Sequence, residues 1–205
     1  TNLCGVKHDA LNKISFSANW MSSTKTADEK GDLVRGVQAL TNMADILKVS
    51  IPVGKDSLSM KVNWKNNEAE HTVTSPMTLN ISSFSNVQDL HKSVTPELSN
   101  SDSTLLHLWA HSDKYRLGGS ALYQSFKLYG GATPDIDDVD LFKAMFEASQ
   151  ELLDRNLIEA MHDISDGGLI TSLIEMALCS NQGLSINLDY SDNCLLYTSP
   201  SPRDL

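Results

Sequence analysis

Apolar and polar positions change period along this chain, and each change marks an element. Ile14 to Ala18 alternates apolar and polar residues, which predicts a half-buried strand. From Ala27 to Val49 the repeat lengthens: Leu33, Val37, Leu40, Ala44 and Leu47 fall on one side of a helix. Ile51-Pro52-Val53-Gly54 then reads as the loop that ends it. Leu58–Val62 and Met77–Phe84 predict strands, the second with Met77, Leu79 and Ile81 set against Thr78, Asn80 and Ser82. The stretch Ser93–Ser103, with Pro96 and several serines, predicts a linker.

Beyond it, Leu105–Ala110 reads as a short buried strand, followed by the glycine-rich turn Arg116-Leu117-Gly118-Gly119-Ser120 and a helix containing Leu122 and Phe126. Asp135–Asp140 offers acidic caps to a helix whose apolar face is Phe142, Met145, Phe146, Leu152 and Leu153. A strand at Ile158–Met161, a turn at His162–Gly168 and a helix at Leu169–Cys179 make a compact unit, with a last strand at Ser185–Asp189. The pattern is α/β (α+β): residues 1–92 and 104–193 form two domains joined by a linker at 93–103.

Composition narrows the partners. Lys and Arg number 16 against 26 Asp and Glu, a net charge of −10, so nucleic acid is not expected: phosphate neutralisation needs a basic surface. Magnesium can still bridge carboxylate to a nucleotide's phosphates. Cys4, Cys179 and Cys194 form no disulfide framework, and no apolar run or signal peptide points to a membrane, so a cytoplasmic setting is expected. The chain opens on Thr1 rather than Met. From Cys194 to Asp204 it reads as one frame of a sequencing-library adapter, so residues 194–205 are expected to be a disordered artefact; a natural Ser/Pro-rich tail is the bland alternative.

Local chemistry is sparse. In His162–Gly168, Asp163 at a strand end suits Mg²⁺, Ser165 can donate to a phosphate, and Gly167-Gly168 allows close backbone approach. The same residues suit a helix cap and a turn, and on local pattern alone capping is the commoner outcome. Gly54-Lys55-Asp56-Ser57 lacks the upstream glycine of a phosphate-binding loop and leads toward a strand, so Lys55 is expected to be an exposed turn lysine, with contact to a substrate phosphate the rarer alternative. Gly118-Gly119-Ser120 suits either a phosphate cradle or a turn, and the six histidines show no metal-ligand spacing.

Taken together, Ser17-Ala18-Asn19-Trp20-Met21, Ile51 through Met60, Thr74-Ser75-Pro76, Arg116 through Leu122 and His162 through Leu169 resemble one family in order and spacing. That family is the long single-chain phosphoribosylformylglycinamidine synthases. The resemblance covers about residues 1–190. It implies an internal fragment of the second of two synthetase halves: the rear of an N-terminal domain like that of aminoimidazole ribonucleotide synthetase, then most of the C-terminal domain. The implied reaction is ATP- and glutamine-dependent conversion of formylglycinamide ribonucleotide to formylglycinamidine ribonucleotide. The first half and the glutaminase domain would lie elsewhere in the same polypeptide.

By the same resemblance Asn2 and Asp163 match Mg²⁺ ligands and Ser165 matches an ATP/ADP contact, while no catalytic residue falls in this stretch. Ile164 departs from the arginine the family commonly carries there. Two further acidic Mg²⁺ ligands would precede Thr1, so the stretch alone is expected to be inactive. The alternative is that this half is a catalytically silent nucleotide-binding scaffold.

Overall fold

The computed structural model describes residues 1–66, 69–99, 103–108 and 116–186. The chain divides into two compact units. One is Asp9–Asn86; the other joins Thr1–His8 to the residues from Val87 onward.

In the Asp9–Asn86 unit, β2 (Ser15–Met21) is the middle of a three-stranded sheet. It runs parallel to β3 (Ser50–Ser57) and antiparallel to β6 (Thr78–Phe84). Parallel neighbours need a crossover, and α1 (Ala27–Leu47) supplies it. Alternation along β2 turns Phe16, Ala18 and Trp20 to one face. There Gly36 of α1 approaches so closely that an added Cβ would meet Trp20 at 3.2 Å and Met77 at 2.8 Å. That approach rotates the helix so that Ala44 and Leu47 are buried and Val37, expected inside, is 42% exposed.

Two further expectations change here. Ile51–Gly54 is not a loop but part of β3, and Lys55 lies on that strand opposite Asn19 rather than on a turn. Pro52 is tolerated because β3 is an edge strand and carries a bulge: Ser15 faces Ser50 while Ser17 faces Val53, one extra residue on the β3 side. Leu58–Met60 precedes rather than forms the next strand, β4 (Lys61–Asn66), which pairs antiparallel with β5 (Ala69–Thr74). Both are exposed throughout.

In the other unit, β1 (Lys7–His8) pairs antiparallel with β7 (Val87–Asp89). Its helices are α2 (Ala121–Ser125), α3 (Val139–Asp154) and α4 (Gly168–Ser180). Asp138 caps α3 through Leu141 N–H at 2.9 Å, as its acidic approach predicts. The buried arc of α3 is Phe146, Ser149, Gln150 and Leu153. Gln150 fastens the N-terminal strand: its Oε1 accepts from His8 N–H at 3.2 Å, and its Nε2 donates to Cys4 O at 3.3 Å and Val6 O at 3.2 Å. Phe126 lies past the end of α2 and is 70% exposed.

The serine-rich segment is bonded into this unit as far as Ser99. Val94 N–H donates to Gly5 O at 2.8 Å, Met161 N–H to Thr95 O at 3.0 Å, and Leu98 N–H to Ser180 Oγ at 2.6 Å. No strand forms at Leu105–Leu108, at Ile158–Met161 or at Ser185–Ile186. Leu105, Leu106 and Leu108 are exposed rather than buried, and Ile158–Met161 gains the Thr95 bond without a ladder. Trp109–Ala110, Asn187–Asp189 and the tail 194–205 lie outside the described residues.

Candidate functional site

The turn into α4 is where the sequence places most of its chemistry. Residues 161–165 belong to no helix or strand; Asp166 and Gly167 turn; Gly168 opens the helix. Gly167 and Gly168 have φ of 87° and 74°, the left-handed region that favours glycine. A Cβ on Gly167 would also lie 2.2 Å from Thr171 Oγ1. The glycine pair is therefore required by the turn itself.

Asp163, Ser165 and Asp166 do not cap α4. Its N-cap is Gly167, which offers no side chain, and Gly168 N–H donates to Ser165 O at 2.9 Å. Instead, Asp163 is gripped through its backbone. Its carbonyl accepts from His162 Nδ1 at 2.7 Å and from Ser172 Oγ at 3.2 Å. Ser172 and Gly168 are both buried, and their small size on one side of α4 admits the segment before it. The Asp163 carboxylate is 24% exposed, with Oδ1 3.6 Å from His162 Nδ1. His162 Nε2 lies 3.0 Å from Glu175 Oε2, one side chain further along α4.

The structure brings Asp163 and Ser165 together at this turn, with the Ser165 residue buried. Asn2 sits exposed in an N-terminal turn closed by Cys4 N–H donating to Thr1 O at 2.7 Å. It makes no hydrogen bond to Asp163 among the described residues. Both segments nevertheless hang on the same stretch, since Val94 bonds to Gly5 and Thr95 to Met161. Glu175 carried no signal in the sequence: it meets His162, the chain neighbour of Asp163, only through the way this segment lies against α4.

Two other candidates resolve as structure. Gly118 packs backbone on backbone, where a Cβ would meet Gly131 O at 2.6 Å, and Ser120 caps α2 through Tyr123 N–H at 3.2 Å. Arg116 pairs with Asp137 and donates to Asp135 O at 3.0 Å. Lys55 Nζ donates to Ser57 Oγ at 2.8 Å. Among the described residues no three His, Cys, Asp or Glu side chains gather into a metal-holding group. One carboxylate and one amide oxygen are hard donors that fit Mg²⁺ held mainly by water and phosphate oxygens, not an all-protein cage.

Comparison with known proteins matches the two halves of the chain to two domain families. Residues 1–86 match the FGAR-AT PurM_N-like domain, and residues 108–202, a range that takes in most of the tail, match the C-terminal domain of AIR synthase related proteins. This places the chain in the class of AIR synthase related α/β proteins, with the N-terminal domain ahead of the C-terminal one. It is 40% identical over 199 residues to the phosphoribosylformylglycinamidine synthase of Schizosaccharomyces pombe, covering 94% of this chain and 15% of the relative. Across these two domains the chain resembles the phosphoribosylformylglycinamidine synthases, and it spans about 15% of the length of that curated relative. A solved structure, T. maritima PurL complexed with ATP, is similar at 15% identity and a TM-score of 0.44, over 88% of this chain and 24% of that one.

Proposed function

We propose that this chain is part of the ATP- and glutamine-dependent ligase that converts formylglycinamide ribonucleotide to formylglycinamidine ribonucleotide in purine biosynthesis. One observation carries the reading: 40% identity to the Schizosaccharomyces pombe enzyme extends over 94% of the chain and through both domains. The apolar stripe Ile170, Ile174 and Leu178 on α4, 39%, 53% and 74% exposed, fits a chain whose faces are covered by further domains. No helix among the described residues is long and apolar enough to cross a membrane. A cytoplasmic setting goes with the proposed pathway.

In this reading Asp163 and Asn2 supply oxygen ligands to Mg²⁺, and Ser165 contacts the nucleotide. Bound there, Mg²⁺ would neutralise charge on the nucleotide's phosphates. Asp163 contributes the negative charge and its clamped backbone sets that charge in place. The start of α4, free of a side-chain cap, leaves amide N–H groups facing the same turn. Ammonia would come from a glutaminase domain outside this chain.

The second reading is that this half is a catalytically silent scaffold that holds its nucleotide as a structural element rather than turning it over. Labelled ATP supplied to the full-length enzyme separates the two, because a turnover site exchanges its nucleotide within a catalytic cycle and a scaffold site does not. For the main reading, the full-length protein should form formylglycinamidine ribonucleotide from glutamine and ATP. Failure to do so, with the protein folded, would overturn it. The isolated chain should give no product with ATP and ammonia.

A further inference from the structure

We infer that His162, held by Glu175, is a positioning residue for Asp163. This rests on the reading of Asp163 as an oxygen ligand at a nucleotide–Mg²⁺ site. The segment that carries Asp163 belongs to no sheet: its last backbone anchor upstream is Met161 N–H on Thr95 O, and the next downstream is Gly168 N–H on Ser165 O. Between those anchors Asp163 is held by two side-chain donors on its carbonyl, His162 Nδ1 at 2.7 Å and Ser172 Oγ at 3.2 Å. Ser172 is fixed by α4. His162 belongs to the loose segment itself, so its ring orients Asp163 only if something outside the segment orients the ring. Glu175 does this, with Oε2 3.0 Å from Nε2.

The linkage runs from a rigid helix to the imidazole, from the imidazole to the Asp163 backbone, and so to the direction of its carboxylate. Groups that orient a metal ligand from behind characteristically govern affinity by about 10- to 100-fold without touching the ion. Glu175 is 49% exposed and His162 14%. Glu175 is the solvent-open member of the pair, so truncating it opens no cavity, and a contact open to water on that side contributes little to stability. Affinity and stability can be separated at this residue.

The test uses the full-length enzyme with ADP bound and excess nucleotide removed, with Mn²⁺ as the probe and free Mn²⁺ read by electron paramagnetic resonance. The Mn²⁺ lost in Asp163→Asn defines the site. For Glu175→Ala the dissociation constant at that site should rise about 10-fold while the melting temperature hardly moves. Glu175→Gln keeps a hydrogen-bonding partner of the same shape beside Nε2 and should restore most of the affinity. His162→Ala should weaken binding at least as much as Glu175→Ala. Wild-type Mn²⁺ affinity in Glu175→Ala, with or without a lowered melt, would overturn the inference. If Asp163→Asn itself loses no Mn²⁺, the ligand reading fails and the positioning role with it. If Asp163→Asn loses Mn²⁺ and Glu175→Ala does not, only the positioning role fails.

Discussion

The helices α1 and α4 begin in opposite ways. At α1, Thr26 and Glu29 form a reciprocal capping box. The Glu29 carboxylate accepts from Thr26 N–H at 2.9 Å, Lys25 N–H at 2.8 Å and the buried Ser23 Oγ at 3.0 Å. The Thr26 backbone N–H does most to hold the Glu29 carboxyl below its ordinary range, with the Ser23 hydroxyl and the Lys25 N–H adding to it. At α4 the N-cap is a glycine with no side chain, and neither Asp163 nor Asp166 caps the helix. The first helix satisfies its own end from its own sequence. The second leaves its end open and spends hydrogen bonds on fixing Asp163. In the proposed reading, the contrast separates residues that make the fold from residues that would hold a ligand against it.

The most damaging way to disturb this contrast is to close the open end by force. Gly167→Ala would place a Cβ 2.2 Å from Thr171 Oγ1 at a φ of 87°. Left-handed strain plus the clash should cost about 3 kcal/mol in urea denaturation. Gly183→Ala is the control, since nothing lies within 4 Å of its Cβ and its φ is not left-handed. Equal effects at the two glycines would show that the α4 turn is not conformationally demanding.

Next in size is removal of the closed cap. Thr26→Ala deletes the oxygen that accepts from Glu29 N–H at 3.2 Å and should destabilise by about 1 kcal/mol. The reciprocal partner gives this end a pH signature. Because Glu29's folded value is lowered, its contribution is complete above the ordinary glutamate value and is lost as pH falls through the lowered one. Asp154 behaves in the same sense, held down first by the hydrogen bond from Lys92 Nζ at 2.7 Å. Wild-type stability should thus fall in acid more steeply than that of Glu29→Gln. Parallel pH profiles for the two proteins would remove the cap from the account.

Much of this was legible beforehand, but unevenly. Helix α1 follows from 3.6-residue periodicity, α3 from its apolar face and the acidic cap ahead of it, and α4 from the turn that precedes it, while β2 and β6 follow from alternation. Pro52 and Gly54 read as a loop because single-sequence punctuation cannot reveal an edge strand with a bulge, which exists only through its pairing with β2. Strand β5 gave no signal, since both its faces are exposed. Leu105–Leu108 looked like a buried strand because burial was inferred from hydrophobicity alone. At the site, the strained glycines were local and visible. The contacts of Ser172 with Asp163 and of Glu175 with His162 were not, because they depend on how the segment before α4 lies against that helix rather than on spacing.

The smallest expected effect is the sharpest discriminator. Asp163→Asn keeps shape and hydrogen-bonding capacity while removing the charge, and neither the carbonyl clamp nor the α4 cap uses its carboxylate. In nucleotide-free protein the change should therefore stay within about 0.5 kcal/mol of wild type. With Mg²⁺ and nucleotide present the two proteins should diverge. A ligand bound only by the folded state stabilises it by an amount that grows with concentration over the dissociation constant, and the mutant would lose part of that gain. Melting curves with and without ADP and Mg²⁺ on the full-length enzyme make the comparison directly. A mutant that matches wild type in both conditions leaves Asp163 without a ligand role, whereas a loss confined to the ligand-free state would make it a structural residue after all. Only a loss that appears with the ligand fits an end of α4 left open for the nucleotide.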